Sequence, residues 1–546
     1  MKNLKFYILT GFAALALTSC NDFLTTVPKD AMSPSSTWKS QDDVEKFLTG
    51  CYDGWEDGSA LLYWDSASDF AYNNFPWEGF RNIGNGSFSP SDPGWSFYGF
   101  TIIRRVNTLL ENAEKATFSS DAAKKDIIAQ ARVIRAYRYF VMNMCYGGVP
   151  IIGNYTTAQE AQVPRETSDK VRDYVLTELN AAIPDLNTTP SERGRIAKGA
   201  ALGIKMRACL YWGKLQEAKE AAQQIIDLGQ YSLEPDYANL FTVKGQNSKE
   251  IILATQYISG TYSLYTVGQL YPNGDGGWSS VVPTQQCVDN YEMANGMTID
   301  EAGSGYDPAH PFHGRDPRLA MSIIYPGCDW NGRVFNSLDK KIDGSDNADY
   351  PTNADNASKT GLSWLKYLGP KSQYADMWDA NCCPIVLRYA DVLLTWAECE
   401  NELNGPSAEV YKKINQVRNR AGMPNVDEAK YNTKEKLREL IRRERGSEFA
   451  GEGQRRWDIL RWTTSDGKML AEKVLNGTLS RITGTLVNSP TKDSSDPTMR
   501  ATITPGATEV IETRTFKDYN KLFPIPQSNI DNNPKLEQNP GYEGAK

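Results

Sequence analysis

Two segments of the chain repeat one pattern, and this pattern constrains the fold more than any other feature. In residues 199–232 and again in residues 389–422, apolar side chains recur every three or four positions, a glycine interrupts them, and a second periodic run follows. Each segment spans about 34 residues, which is the period of tetratricopeptide repeats. Neither helix of such a pair buries its apolar stripe alone, so the sequence predicts stacked helical hairpins.

Apolar periodicity predicts further helices around these pairs, in segments 44–55, 95–113, 127–144, 171–179 and 437–444. We assign four tryptophans to this helical frame: Trp95, Trp212, Trp396 and Trp457. The helical signal fades over residues 243–385 and 465–515, apart from a short predicted strand at residues 251–255. We therefore expect an all-α protein with irregular loop insertions. Its N-terminal region (20–242) and C-terminal region (243–546) are expected to pack as one globular body.

The first residues have the features of a bacterial export signal. Lys2 and Lys5 flank the start of an apolar run that is too short to span a bilayer, and the segment ends in Leu17-Thr18-Ser19-Cys20, the lipoprotein pattern. We expect residues 1–19 to be removed and Cys20 to be lipidated, so that the mature protein is anchored to a membrane. An ordinary signal peptide with a chance cysteine is the alternative.

Composition argues against several classes of function. The net charge of −8 disfavours a nucleic-acid surface, which needs clustered positive charge. The cysteines after Cys20 form no C-x-x-C pair, so no zinc site is expected, and several lie on helical patterns where buried free thiols are common. We predict no essential disulfide.

No metal or cofactor site is expected either. The two histidines, His310 and His313, lack the glutamate of H-E-x-x-H, and neither a phosphate-binding loop nor a dinucleotide fingerprint occurs. The acidic stretch at residues 343–349 breaks the spacing of a calcium-binding EF-hand loop, so a solvated turn is the preferred interpretation.

Charged residues of both signs alternate near the end of the last long predicted helix. Glu439 and Arg443 are four residues apart, and Arg445 and Glu448 are three apart, which favours ion pairs on a solvated helix face. We expect Phe449 to pack against this block. An anion-binding site is the alternative.

Five groups of motifs occur in a fixed order: Cys20-Asn21-Asp22-Phe23-Leu24; Arg388-Tyr389-Ala390-Asp391-Val392-Leu393-Leu394; Val417-Arg418-Asn419-Arg420-Ala421-Gly422; Glu448-Phe449 with Trp457-Asp458; and Leu522-Phe523-Pro524-Ile525-Pro526 with Gln538-Asn539-Pro540-Gly541-Tyr542. Together they resemble the SusD/RagB family of Bacteroidetes. The resemblance implies a frame of four tetratricopeptide-like helix pairs. It also implies a lipid-anchored protein on the outer membrane, exposed at the cell surface, that captures glycans and works with a SusC-like TonB-dependent transporter.

Sugar rings expose a face of C–H groups and an edge of hydroxyls, so a glycan site needs an aromatic platform and polar side chains. The resemblance implies ligand contacts from N-terminal loops and from insertions near mid-chain. The candidate carbohydrate-binding residues are Trp64, Asp65, Tyr72, Asn73, Trp77, Trp278 and Trp330. We expect at least two of the five aromatic residues among them to line one site. The alternative is that these rings fix loops onto the frame.

Three functions therefore remain open. The preferred one is non-catalytic binding of an oligosaccharide or polysaccharide and its delivery to the transporter. A tetratricopeptide-like frame also suits a scaffold that holds peptides or proteins. A glycoside hydrolase needs two carboxylates at a set separation, and 67 acidic residues leave room for such a pair, although the resemblance argues against an enzyme.

Overall fold

The computed structural model describes residues 38–486 and 495–543, and its regular structure is mainly helical, which confirms the predicted fold class. The signal sequence and the lipidation site Cys20 lie outside these residues. The helices, numbered in chain order, are α1 Gln41–Tyr52, α2 Gly58–Tyr63, α3 Phe80–Asn85, α4 Thr101–Asn112, α5 Asp121–Tyr146, α6 Ser168–Ala182, α7 Lys198–Tyr211, α8 Leu215–Asp227, α9 Thr266–Leu270, α10 Gln285–Asn290, α11 Pro317–Ser322, α12 Tyr389–Asn404, α13 Ala408–Arg420, α14 Lys434–Phe449, α15 Arg455–Arg461, α16 Leu470–Val474 and α17 Gln527–Asn532.

Both predicted helical hairpins are confirmed. The first consists of α7 and α8, joined through Gly213, whose positive φ of 73° suits a glycine. The second consists of α12 and α13. Gly405 ends α12, and the Ser407 hydroxyl caps α13 by accepting a hydrogen bond from the Val410 N–H. Helix α8 packs against α12, so the two hairpins stack although a long insertion separates them in the sequence.

The N-terminal helices extend this stack. Helix α5 begins after the cap Ser120 and ends at Gly147, where φ is 71°. It packs against α4 on one side and against α6 on the other, α6 also contacts α7, and α14 packs on α12. The frame is thus a series of neighbouring helices, α4 to α8 followed by α12 to α14.

The prediction that Trp95 belongs to a helix is wrong. Helix α4 begins only at Thr101, and Trp95 lies half-buried in the loop before it. Pro93-Gly94 and Gly99 flank Trp95, and these residue types favour turns over helices. The other tryptophans assigned to the frame do lie in or directly after helices: Trp212, Trp396 and Trp457.

All but two of the strands are short. The strands are β1 Ala71–Asn73, β2 Ile251–Ala254, β3 Val281–Pro283, β4 Ile323–Ile324, β5 Asp329–Trp330, β6 Arg333–Val334, β7 Lys341–Ile342, β8 Ser345–Asp346, β9 Ser363–Trp364, β10 Ile385–Arg388, β11 Gly477–Leu486 and β12 Ala501–Arg514. They form six antiparallel pairs: β1–β3, β2–β10, β4–β9, β5–β6, β7–β8 and β11–β12. The predicted strand at residues 251–255 is confirmed as β2.

The longest pair corrects the prediction of a loop over residues 465–515. Strands β11 and β12 pair from Gly477 opposite Arg514 to Leu486 opposite Ala501, with two irregularities in register. The segment is rich in threonine, serine and proline, a composition that is also typical of loops. Threonine is β-branched, however, and fits the pleated surface of a strand.

One large hydrophobic cluster runs through the molecule, with members from Val44 to Tyr542. It includes buried residues on both sides of position 243, so the two predicted regions share a core, while the boundary itself stays a prediction. The eight cysteines within the described residues are free thiols, and all except Cys328 are buried. In the part of the chain that the structure describes, every helix is too short or too polar to cross a membrane.

A second part of the interior is ionic, and it corrects the prediction of solvated ion pairs on α14. Glu448 is fully buried and accepts hydrogen bonds from Arg388 at 2.6 Å and from Arg318 at 2.9 Å. These partners come from β10 and α11 rather than from the same helix. As expected, Phe449 packs on this block, because the Arg445 guanidinium lies 5.2 Å from its ring centroid.

We call the connected set of buried ion pairs around Glu448 the ionic cluster. Six cations and six carboxylates alternate within it, so its formal charge is balanced, as burial of so many charges requires. Its members are Arg318, Lys366, Arg388, Arg418, Arg420 and Arg443 with Glu250, Glu292, Asp316, Glu444, Glu448 and Glu452.

Candidate functional site

A short sheet brings together two loops that are far apart in the sequence. Strands β1 and β3 pair with Asn73 opposite Val281. The Asn73 side chain donates to the Ser280 carbonyl at 2.8 Å, and the Asn74 N–H donates to the same oxygen at 2.8 Å. This pairing fixes the segment that contains Trp77 beside the segment that contains Trp278.

Trp77 is the most exposed large apolar side chain of the described residues, with 77% of its surface accessible. Its ring stacks on Phe75, with centroids 4.8 Å apart and an interplanar angle of 27°. It lies at a cavity of about 450 Å³, the Trp77 cavity, whose walls carry both rings and polar groups. The lining residues are Ser59, Tyr63, Trp77, Glu78, Gly79, Gly94, Trp95, Ser96, Thr266 and Gln269.

Three further rings pack together at α9, and we call them the aromatic cluster: Tyr265, Trp278 and Trp378. Tyr265 is 49% exposed and the two tryptophans are half-buried. The Trp378 centroid lies 4.8 Å from that of Tyr265 and 5.0 Å from that of Trp278. Gly268 allows this packing, because a Cβ there would lie 2.4 Å from the Trp378 ring.

Helix α9 connects the aromatic cluster to the Trp77 cavity. Tyr265 directly precedes the helix and Gln269, which lines the cavity, follows four residues later. Positions four apart lie on one face of a helix, so the cluster and the cavity belong to one continuous surface.

Glu78 supplies the charge of this surface. One carboxylate oxygen accepts from the Asn73 amide at 2.6 Å and the other from the Ser280 hydroxyl at 2.8 Å, while the Gln269 amide lies 3.5 Å away. Burial raises the pKa of Glu78, and the hydrogen bonds from Asn73 and Ser280 act in the opposite direction. Among the described residues that line the cavity, Glu78 is the only charged one.

The loop before Trp278 is held by Trp330. Strands β5 and β6 form a tight hairpin whose two turn residues, Asn331 and Gly332, both have positive φ, as a type I′ turn requires. The Trp330 indole donates to Asp275 at 2.7 Å, and Arg333 donates to the same carboxylate at 3.1 Å. The residues between α9 and β3 are therefore anchored from one side.

Of the seven predicted carbohydrate-binding residues, the structure places two on this surface, Trp77 and Trp278. The other five are buried and offer no accessible face to a ligand: Trp64, Asp65, Tyr72, Asn73 and Trp330. Trp64 stacks on Phe97 with centroids 4.5 Å apart, and Asp65 accepts from the Gly451 N–H at 2.7 Å. Burial raises the pKa of Asp65 to about 6. Of the predicted residues, only Trp77 and Trp278 remain candidates for contact with a carbohydrate.

Sequence reasoning missed four residues of this surface. Tyr265, Gln269, Trp378 and Glu78 are not among the predicted carbohydrate-binding residues. The Tyr-Thr-Val-Gly-Gln run at residues 265–269 carries a weak signal, since a glycine within a helix often marks close packing of another group.

Within residues 38–486 and 495–543, no group of three or more His, Cys, Asp or Glu side chains is arranged around a common point. The His310 ring contacts Asp307 at 2.8 Å, and the His313 ring contacts Thr498 at 2.9 Å. The two histidines thus have separate partners.

Comparison with known proteins identifies the family. The sequence model of the SusD family matches residues 249–542, which is more than half of the chain. The chain belongs to the SusD family. A second model, described as "Starch-binding associating with outer membrane", matches residues 22–210. The resemblance inferred from the motifs is thereby confirmed.

Relatives of this SusD-family protein match it over most of their length. A SusD-like protein of Formosa agariphila is 27% identical over 85% of this chain and 90% of its own. A SusD-like protein of Bacteroides ovatus is 23% identical over 98% of this chain and 97% of its own. The structure of a SusD-like carbohydrate binding protein from Bacteroides fragilis is similar with a TM-score of 0.78 at 27% identity, covering 92% of this chain and 100% of that protein.

Proposed function

We propose that this SusD-family protein binds a neutral oligosaccharide or polysaccharide without cleaving it and delivers it to a SusC-like TonB-dependent transporter. The proposed site is the surface formed by the Trp77 cavity and the aromatic cluster. The Bacteroides fragilis relative, described as carbohydrate binding, supports carbohydrate as the class of ligand.

The exposed Trp77 ring is the observation that carries the proposal. A flat ring held by Phe75 offers one face to the C–H groups of a sugar, and tryptophan is enriched at binding interfaces because it combines a large apolar ring with a polar N–H. The adjacent cavity of about 450 Å³ falls within the range of roughly 300–1,000 Å³ that is typical of ligand sites.

The polar groups of the site favour a neutral glycan. Glu78 accepts hydrogen bonds and repels anions, and Thr266, Gln269 and Ser96 offer neutral donors and acceptors for hydroxyls. Arg333, the cation near Trp278, is already paired with Asp275 and with Asp349 at 2.8 Å. An anionic sugar therefore finds no unpaired cation among the described residues that line the cavity.

The same residues favour binding over catalysis. A glycoside hydrolase uses two carboxyl groups that flank the scissile bond. Glu78 is the single carboxylate among the described residues that line the cavity. Its oxygens are held by Asn73 and Ser280 rather than by a second acid.

Membrane attachment and delivery complete the proposal. Lipidation of Cys20 would hold the protein at the outer membrane with the site facing outwards. The description of the N-terminal family model as associating with the outer membrane supports this location. A transporter of the SusC type is the proposed recipient of the glycan, and its co-purification with this protein from solubilised outer membranes tests the partnership.

Binding is tested by isothermal titration of the soluble protein with neutral oligosaccharides. We expect Trp77→Ala to weaken binding by about tenfold or more, since aromatic stacking and burial of the ring are lost. The control is Leu403→Ala, which shortens an exposed apolar side chain near the C-terminal end of α12, outside the Trp77 cavity. Equal affinity of Trp77→Ala and the unchanged protein contradicts the site, and release of shorter sugars during the titration contradicts non-catalytic binding.

A further inference from the structure

A second cavity, of about 410 Å³, shares no lining residue with the Trp77 cavity, and we call it the C-terminal pocket. Its walls come from the start of α4, from residues 150–161, and from α17 with Leu536. Most of the lining is apolar, and it includes three rings. The lining residues are Tyr98, Phe100, Arg104, Pro150, Ile152, Gly153, Tyr155, Thr156, Thr157, Ala158, Ala161, Asn529, Asn532, Asn533 and Leu536.

The walls of the C-terminal pocket are held in place by hydrogen bonds behind them. The Ile152 N–H donates to the Tyr139 hydroxyl at 2.9 Å, and the Ile152 carbonyl accepts from the Asn107 amide at 3.0 Å. On the opposite side, the Asn533 amide donates to the Val163 carbonyl at 2.8 Å. The pocket is therefore formed before any ligand arrives, as small-molecule sites usually are.

Three polar side chains at this pocket have no partner within the described residues: Arg104, Asn529 and Asn532. Arg104 is its only charged lining residue, and its guanidinium makes no ion pair or hydrogen bond within the described residues. The side-chain amides of Asn529 and Asn532 are also without partners there. Arg105, next in the sequence, shows the contrast, because its guanidinium donates to the Gly50 carbonyl at 2.8 Å and contacts Asp53 at 3.4 Å.

Two carboxylates close to the C-terminal pocket already accept hydrogen bonds from other residues. Glu160, on the same segment as Tyr155, accepts from the Thr156 hydroxyl at 2.8 Å and is not a lining residue. Glu111 accepts from the Asn154 amide. The pocket thus combines a free guanidinium, free amides and aromatic walls, which is the reverse of the charge pattern in the Trp77 cavity.

We propose that the C-terminal pocket binds a negatively charged sugar unit, such as a uronic acid. The ring would lie against Phe100 and Tyr155, its hydroxyls would meet Asn529 and Asn532, and its carboxylate would pair with Arg104 in a charge-assisted, two-point contact. A concave pocket of this volume suits a single sugar ring, whereas protein segments usually dock on larger interfaces, which is why we favour a sugar over an acidic protein segment.

The test is titration of the soluble protein with glucuronate and galacturonate oligosaccharides at low and moderate salt. We expect measurable binding that weakens as salt rises, and a loss of about tenfold or more in Arg104→Gln, because one charge-assisted contact is removed. The matched control Arg105→Gln should keep the affinity, and Trp77→Ala should keep it too. Circular dichroism and thermal midpoints check that each variant is folded.

Several outcomes overturn the proposal. Absence of binding to both acidic oligosaccharides in the unchanged protein does so, and so does equal affinity in Arg104→Gln. If Trp77→Ala abolishes the binding, the acidic sugar occupies the Trp77 cavity instead. If only an aspartate-rich peptide binds, and Arg104→Gln abolishes that binding, the pocket is a protein docking site and not a sugar site.

Discussion

The guanidinium of Arg388 and the carboxylate of Glu452 form two parallel hydrogen bonds in the interior, at 2.7 and 2.8 Å. Arg388 is the last residue of β10, and Glu452 follows α14. The pair therefore connects the short sheet to the C-terminal helices through the ionic cluster. Because both groups are buried, each needs neighbours of opposite charge, and removing one member of the ionic cluster leaves buried charges uncompensated.

Removing one member of the ionic cluster should destabilise the folded protein. We expect Arg388→Ala to lower the free energy of unfolding by about 3–5 kcal/mol, since Glu250, Glu448 and Glu452 lose a shared cation while remaining buried. Urea denaturation measures the change. Arg105→Ala, which breaks an exposed pair, should cost less than about 1 kcal/mol, and equal losses in the two variants would contradict this account.

Part of the pH dependence of stability should come from Asp391. Burial alone raises its pKa, but Arg207 at 2.7 Å and Arg445 at 3.2 Å outweigh burial and lower the pKa to about 2. A carboxyl group with a lowered pKa in the folded state stabilises above its ordinary pKa, and this contribution is lost as the pH falls from about 4 to about 2, by roughly 2 kcal/mol. Urea denaturation at pH 7, 4 and 3 measures the loss, and Asp391→Asn should show a smaller one.

Protonation of Asp65 should have the opposite effect on the stability of the fold. Its pKa is raised to about 6 by burial, so the folded state binds a proton more tightly than the unfolded chain between about pH 4 and pH 6. Lowering the pH through this window should therefore stabilise the protein through Asp65. The variant Asp65→Asn, which resembles the protonated form, should lose this pH response; an unchanged response in that window would show that other groups cause it.

The carboxylate of Glu78 should set the selectivity of the Trp77 cavity. In Glu78→Gln the repulsion of anions is removed, so the ratio of affinities for neutral over acidic oligosaccharides at that cavity should fall, most clearly at low salt. Titrations in an Arg104→Gln background separate this effect from the C-terminal pocket. A ratio that does not change means that Glu78 has no part in selecting the ligand.

A glycine supports the aromatic cluster. The Cβ of Gly268→Ala would lie 2.4 Å from the Trp378 ring, so the ring must move and affinity for a neutral glycan should fall by several-fold. Gly50→Ala is the matched control, because Gly50 lies in α1 with open space around it, and alanine there should stabilise the helix by up to about 1 kcal/mol. Titration measures the affinity of the two variants and thermal midpoints measure their stability. Unchanged affinity in Gly268→Ala would contradict a role of the aromatic cluster in binding.

The helical frame was predictable from sequence because its signals are local. Gly213, Gly405 and Ser407 stop or cap helices through their own backbone geometry, and the apolar stripes beside them repeat within a few turns. The ionic cluster was not predicted, because the charged residues of α14 were expected to form solvated ion pairs. Glu444 and Glu448 continue the stripe of Leu437 and Ile441 on α14, so their burial was readable from spacing, but their partners come from distant segments.

The candidate site was predictable only in part, because burial of an aromatic ring is decided by residues far away in the chain. Trp64 and Trp77 belong to one Trp- and Tyr-rich stretch, yet Trp64 packs against Trp457, with centroids 4.8 Å apart, while Trp77 faces solvent. Trp378 meets Trp278 only through the tertiary fold. No local pattern distinguishes these cases.

The exposure of Trp77 also affects the fluorescence of the protein. The chain has 13 tryptophans, all within the residues that the structure describes, and only Trp77 has most of its surface exposed to solvent. Indole fluorescence shifts to shorter wavelength when water leaves the ring. A sugar that covers Trp77 would therefore shift the emission maximum of the protein to shorter wavelength. The intrinsic fluorescence can thus report binding without an added label.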